Sequence, residues 1–341
     1  MSTQSSTPSA LPAREVAHAS LEPAFRLAVQ HVFDVLAAHR DDDVPGAFAS
    51  ALDHSLDAVR RHARGDRAAE FGYFRAVLHP LFLQAPLLAR AFAKPRGYAG
   101  DYEMMNMIYR DLPEGDTALG RALHTWINSR RPCRAVRSRL GWLLERMGEH
   151  MQLVGDECYR TLSVACGPAQ ELQELVRQPS SPRSIDALCV DQDTEALRYA
   201  EAAVRRHAGG GALDATFLPL SIRDLLMTRV AHRRSVIGTR HFVYSLGLYD
   251  YLPDRVAVAL TRALYDLLAP GGRLIVGNFA PCAATEFVME AVTDWPILYR
   301  SAEEVLSLAR ALPHDARREY ATEPTGLNGF LIVTKPRDLR S

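Results

Sequence analysis

The chain has no CxxC pair, and its five cysteines (Cys133, Cys158, Cys166, Cys189, Cys282) are odd in number and scattered. Neither a disulfide framework nor a zinc site follows from them. Cys166, Cys189 and Cys282 lie in or beside apolar runs, where cysteine acts as a small buried hydrophobe. An excess of either charge is missing too: 40 basic residues face 40 acidic ones. A general attraction to nucleic acid or to an anionic membrane is therefore not expected. The local run Arg130, Arg131, Arg134, Arg137 and Arg139 reads as a solvated helix face. No stretch reaches the roughly 18 apolar residues of a membrane span. The opening MSTQSSTPSALPARE has neither a basic start nor an apolar run, so it reads as a disordered tail and not as a signal peptide. A cytoplasmic protein is the expectation.

What remains is long enough, at 341 residues, for two ordinary cores. From 16 to 150 the pattern is helical. Phe25, Val29, Val32, Phe33 and Leu36 recur at helical spacing, as do Val136, Leu140, Leu143, Leu144 and Met147. Breaks at Pro45, Gly65, Pro80, Lys94–Gly97, Pro113 and Pro132 predict six or seven helices. From about 159, short apolar runs alternate with helices: strands at Tyr159–Cys166, Ser184–Val190, Ala215–Pro219, Phe242–Leu246, Arg273–Phe279 and Gly329–Val333, helices at Gln170–Arg177, Thr194–Ala208 and Arg255–Leu268. That alternation predicts an α/β domain with a largely parallel sheet covered on both faces. The domains are thus expected as a tail over 1–15, a helical domain over 16–150 and an α/β domain over 151–341.

The segment from Leu162 to Glu171 carries chemistry. An apolar strand ends in the small residues Ala165, Gly167 and Ala169, and a helix follows at once. Small residues admit a ligand close to the backbone, and a helix start offers unpaired N–H groups. The same segment could be a plain tight turn. The next strand ends in Asp191, placed to accept hydrogen bonds from ribose hydroxyls. Asp191 could instead cap the following helix, a task that Asp193 could equally perform.

CGPAQE, VDQDTEALRYA, SLGLYDYLPD and LLAPGGRLIVGNF together resemble the successive motifs of class I S-adenosylmethionine (SAM)-dependent methyltransferases, over roughly 155–335. The resemblance implies a Rossmann-like sheet of seven strands, the last reversed and formed here by NGFLIVTKP, with SAM as cofactor. Carried over by position, it implies cofactor contacts at Ala165, Gly167, Ala169 and Glu171, at Asp191 and Gln192, at Ser221, Ile222 and Arg223, and at Ser245, Leu246 and Gly247. Two departures stand out. Ser163 occupies the place of the usual Asp or Glu, for which Glu171 could substitute, and alanines replace two of three glycines.

A narrower resemblance covers nearly the whole chain. HPLFLQAPLLARAFAKPRGYAGDYEMMNMIY and the distant DWPILYR are similar to bacterial methyltransferases of 3-hydroxypalmitic acid methyl ester (extracellular factor) biosynthesis. It implies methylation of a carboxylate or hydroxyl on a small fatty-acid-like or secondary-metabolite acceptor, with the helical domain as a lid. Tyr98, Tyr102, Tyr249 and Asn278 are candidates for the reacting centre, and Arg96, Tyr299 and Arg300 for the substrate. The loop around Arg96–Tyr102 could equally be an interhelix connection, and Asp294–Arg300 a hydrogen-bonded corner. Two other activities fit the same residues. One is intramolecular closure of SAM to an azetidine ring with release of 5′-methylthioadenosine; the other is SAM binding without catalysis.

Overall fold

A computed structural model describes residues 21–38, 47–155, 158–177, 184–207 and 213–337. The expected tail over 1–15 and the break at Pro45 lie outside them. The chain forms two compact units, neither continuous in sequence: one comprises Met1–Ala99, Asp111–Asn128 and Ala283–Pro296, the other Gly100–Arg110, Ser129–Cys282 and Ile297–Ser341.

The first unit is helical over its described residues: α1 (Pro23–Ala37), α2 (Phe48–His62), α3 (Arg67–Phe82) and α4 (Pro86–Ala93). Two further helices begin at a distance: α5 (Tyr102–Arg110), which belongs to the second unit, and α6 (Ala118–Ser129). Prolines at the first turn open α1 and α4, where a missing N–H costs nothing. Asp66 caps α3 by accepting from Ala68 N at 3.2 Å. Pro80 does not break the chain as expected; it sits in the last turn of α3, which runs on to Phe82. Lys94, at φ 47°, ends the path of α4 in the left-handed region. Phe25, Val29, Val32 and Leu36 form the buried stripe of α1.

A late segment completes this unit. The helix Ala283–Thr293 places Phe287 edge-on to Phe71 and Phe74, each 5.9 Å away. Its last carbonyls are met by side chains from earlier in the chain. Arg75 donates to the carbonyls of Ala291 (3.0 Å) and Glu290. The His79 ring meets that of Val292 at 2.8 Å, and Lys94 donates to that of Asp294 at 2.6 Å. Arg75 also donates to the Asp294 carboxylate at 2.9 Å. Lys94 and Asp294, 200 residues apart, thus meet at one helix cap.

The second unit is built on seven strands: β1 (Cys158–Val164), β2 (Ser184–Asp191), β3 (Leu213–Pro219), β4 (Arg240–Ser245), β5 (Leu268–Phe279), β6 (Arg317–Thr322) and β7 (Asn328–Thr334). Their order is β3-β2-β1-β4-β5-β7-β6, with β1 to β5 parallel and β7 antiparallel to both its neighbours. This is the Rossmann-like sheet of class I methyltransferases, with NGFLIVT as the reversed strand. The PGG segment lies inside β5, where a Cβ on Gly272 would stand 2.8 Å from the Ala269 carbonyl.

Both faces are covered, as near-continuous apolar strands require. On one, Leu162, Val243, Leu274 and Leu331 pack with Leu260 and Leu264 of the helix Asp254–Tyr265. On the other, Tyr159, Phe242 and Ile275 pack with Trp142, Leu143 and Met147. Those three residues belong to a 23-residue helix, α7 (Arg131–Leu153), which the sequence assigns to the helical domain. The Trp142 ring stacks on Phe330 at 4.1 Å, so α7 is part of the sheet's own core. Among the described residues no helix is long and apolar enough to cross a membrane.

Replacing Arg75 with Ala removes charged hydrogen bonds to two carbonyls and one carboxylate. A loss of about 1.5–3 kcal/mol follows, visible in calorimetric melting as a lowered transition. An unchanged melting profile shows that the cap contributes nothing.

Candidate functional site

The candidate residues gather at the C-terminal ends of β1, β2 and β4, the edge at which open parallel sheets generally bind ligands. After β1 the backbone enters the left-handed region three times, at Ala165 (φ 54°), Gly167 (φ 54°) and Ala169 (φ 48°). The two alanines adopt a conformation that glycine takes freely and L-residues at a cost of about 1–2 kcal/mol. Strain of this kind persists where surrounding contacts over-determine it. Here Cys166 N donates to the Val190 carbonyl at 3.2 Å, and Ala169 N to that of Cys166 at 2.9 Å. The open position is Gly167, where a Cβ would meet nothing within 4 Å. Cys166 and Cys189 are buried beneath the turn, whereas Cys282 is half-buried.

Asp191, at the end of β2, is 8% exposed. One carboxylate oxygen accepts from Gly167 N at 2.9 Å, the other from Asp193 N at 2.9 Å. Burial pushes its carboxyl up, and these N–H groups oppose that shift. Each oxygen keeps lone-pair capacity beyond the bond it accepts. Asp193 caps the next helix, α9 (Thr194–His207), by accepting from Glu195 N at 2.9 Å. Capping thus falls to Asp193, while Asp191 ties the turn after β1 to the end of β2. Gln192, between them, is exposed. At the end of β3, Ser221 and Ile222 are half-buried and Arg223 exposed; the Ser221 hydroxyl forms a capping box with Asp224.

Beneath the turn, Glu171 opens the helix α8 (Gln170–Arg177) and is buried. Its Oε1 accepts from Ser163 Oγ at 3.1 Å and from Tyr244 Oη at 2.9 Å. Ser163 on β1 thus holds the carboxylate of a glutamate in the first turn of α8. Burial raises the Glu171 carboxyl, and the nearby Arg139 guanidinium works against that rise. Arg139 is no part of a solvated face. It is 6% exposed and donates from Nη1 to the Leu246 carbonyl at 3.1 Å. Arg131 and Arg134 do face solvent. Ser245 is buried and donates to the Val164 carbonyl at 2.9 Å, which fixes the loop that carries Leu246 and Gly247.

Three residues expected at the reacting centre or the substrate are structural instead. Tyr249 is fully buried, and its hydroxyl meets Thr261 Oγ1 at 3.1 Å. Asn278 donates to the carbonyls of Phe279 (3.0 Å) and Leu298 (2.8 Å). Arg300 uses all five N–H groups on protein acceptors: Asp254 Oδ1 (3.1 and 2.8 Å), the carbonyls of Tyr249 (2.8 Å) and Leu252 (2.6 Å), and Asn278 Oδ1 (2.5 Å). It has no donor left for a substrate. Tyr102 opens α5 and places its ring 5.2 Å from that of Tyr199 on α9. The residue before it, Asp101, caps α5 through Met104 N at 2.9 Å. Tyr299 is half-buried in the second unit; Arg96 and Tyr98 are half-buried residues of the helical unit.

No family model matches the chain, and no curated protein matches it. Solved structures do. A possible exported protein from Bordetella parapertussis is similar with a TM-score of 0.54 and 19% identity, over 96% of this chain and 100% of that one. The CurJ carbon methyltransferase gives 0.48 and 12%, over 95% and 96%. Magnesium protoporphyrin IX methyltransferase from Synechocystis, with bound S-adenosylhomocysteine, gives 0.47 and 12%, over 73% and 98%. The first likeness spans nearly the whole of both chains and supports the fold.

Asp250 offers a pH test of the corner that Arg300 holds. Its Oδ1 accepts from Phe279 N at 2.7 Å, and burial raises the carboxyl to about 6. A raised carboxyl favours the folded state when protonated, so its contribution is complete below the unfolded value of 3.8 and is lost as pH rises through about 6. Between pH 7.5 and 5 wild type should gain about 1.4 kcal/mol over Asp250→Asn. Denaturant titrations of both proteins at the two pH values measure this. His150, held down at about 4 by burial, loses stability over the same acid range and cancels in the comparison. Parallel stability profiles would show that Asp250 does not titrate there.

Proposed function

We propose that the chain binds SAM at the ends of β1, β2 and β4 and transfers its methyl group to a small acceptor. The observation that carries this reading is the Asp191 carboxylate, locked to Gly167 N and Asp193 N at the mouth of a turn with three left-handed residues. It gives a ribose diol two acceptor oxygens in a fixed position, beside a glycine that admits the nucleoside closely. Leu246 and Gly247 follow β4 at the same edge of the sheet. The motif resemblance adds the acceptor class, a carboxylate or hydroxyl on a fatty-acid-like molecule or secondary metabolite.

The donor carbon is already activated by the sulfonium, so alignment and exclusion of water are the enzyme's main tasks. A carboxylate acceptor needs no base, being ionised at neutral pH. With Arg300 fully committed, Arg96 is the remaining candidate to orient it. Tyr98 and Tyr102 are the remaining candidates beside the sulfonium, where a ring face contributes about 0.5–2 kcal/mol. The lid role of the helical unit and a cytoplasmic location belong to the same proposal.

One observation favours ring closure within SAM. That reaction needs the donor's amino group without its proton, and the raised carboxyl of Glu171 could take it. The products decide. Incubated with SAM and 3-hydroxypalmitate, the protein should release S-adenosylhomocysteine; 5′-methylthioadenosine formed without acceptor would instead establish cyclisation. SAM bound but unconverted in both reactions would mark a binding protein. Independently, Asp191→Ala should weaken S-adenosylhomocysteine binding by about 1.5–3 kcal/mol in calorimetry, and unchanged affinity removes the ribose assignment.

A further inference from the structure

Arg139 is buried and forms no ion pair among the described residues, though the buried carboxyls of Glu171 and Asp250 both feel its charge. Nη1 reaches the Leu246 carbonyl, and the Tyr109 phenol lies against the guanidinium. Nε has no hydrogen-bond partner among the described residues. The backbone beside Nη2 belongs to Gly247, whose absent Cβ would stand 3.4 Å from that nitrogen. The Nε–Nη2 edge is the side that meets a carboxylate in two parallel hydrogen bonds, and no protein carboxylate occupies it among the described residues. Glu171 is the complement. It is a buried carboxylate that accepts from two hydroxyls and forms no ion pair among the described residues, though Arg139 is close enough to act on it electrostatically.

A buried charge that no hydrogen-bonded ion pair compensates is destabilising, and an unmade hydrogen bond adds to it. One kind of ligand offsets both charges at once, a molecule that ends in a carboxylate and an ammonium on the same carbon. Arg300 shows the contrast, since its buried guanidinium is satisfied by protein alone.

We propose that Arg139 and Glu171 form the receptor for the α-amino-acid terminus of the donor, with the carboxylate on the Nε–Nη2 edge of Arg139 and the ammonium toward Glu171. This rests on the reading of SAM as donor. Ser163 and Tyr244 act as positioning residues, since their hydroxyls aim the Glu171 carboxylate. Arg139 approaches from a helix that precedes the sheet in sequence, at a distance from the glycine-rich turn that no local motif reveals.

The test compares two nucleosides by calorimetry on the full chain. S-adenosylhomocysteine carries the amino-acid terminus, whereas 5′-methylthioadenosine lacks it. In Arg139→Met the affinity for S-adenosylhomocysteine should fall at least ten-fold, and that for 5′-methylthioadenosine should stay within two-fold of wild type. Arg139→Lys, which keeps the charge without the fork, should fall between. Undiminished S-adenosylhomocysteine binding by Arg139→Met overturns the proposal and leaves the donor reading intact. Failure of wild type to bind either nucleoside removes the donor reading, and the assignment of Arg139 falls with it. If Arg139→Met binds neither, Arg139→Lys decides: wild-type affinity for S-adenosylhomocysteine there overturns the assignment.

Discussion

A guanidinium taken out of water must find acceptors for five N–H groups, and the second unit is organised around one that finds them all. Arg300 ties the ends of β5, the turn at Tyr249–Leu252 and the start of the following helix to one point. The main chain strengthens the same corner, because Arg300 N donates to the Phe279 carbonyl and Leu298 N to that of Asp250. The corner thereby fixes where β5 stops and where the chain turns away from the sheet. The loop after β1 follows a different logic, in which backbone strain at Ala165 and Ala169 is held by hydrogen bonds from the neighbouring strand.

The sheet was legible in the sequence because its central strands are buried on both faces. ALCV, FVY, LIV and FLIV are short, almost wholly apolar runs without the polar positions of an amphipathic helix. β6 was not legible. Its sequence RREYAT is an edge strand with alternate residues exposed, and nothing local separates it from a polar loop. Pro80 misled for a related reason, since a proline in the last turn of a helix ends little.

The site was legible in part. A small residue after a strand and an acid after the next are local patterns, so the turn at 165–169 and Asp191 could be read directly. Which way a polar side chain faces is decided by tertiary packing, and there sequence reasoning erred in both directions. Tyr249, Asn278 and Arg300 look like reactive groups in a list of motifs but are consumed by the corner. Arg139 looks like one more arginine in a solvated run, yet α7 turns that position inward, toward Glu171. Trp142 and Met147 lie three and eight residues further on, at helical spacing from it, and are the signal that could have found it.

The helical unit draws one of its helices from after β5, and this bears on how the chain comes into being. A ribosome releases residues 21–128 long before 283–296 emerge. Throughout that interval Arg75, His79 and Lys94 have no carbonyls to receive them, and Phe71 and Phe74 have no Phe287 to pack against. The amino-terminal half therefore cannot complete its core in the order of synthesis, as a contiguous domain would. Its apolar faces wait, exposed, until nearly the whole polypeptide has been made, and any chain truncated before residue 283 leaves them unsealed.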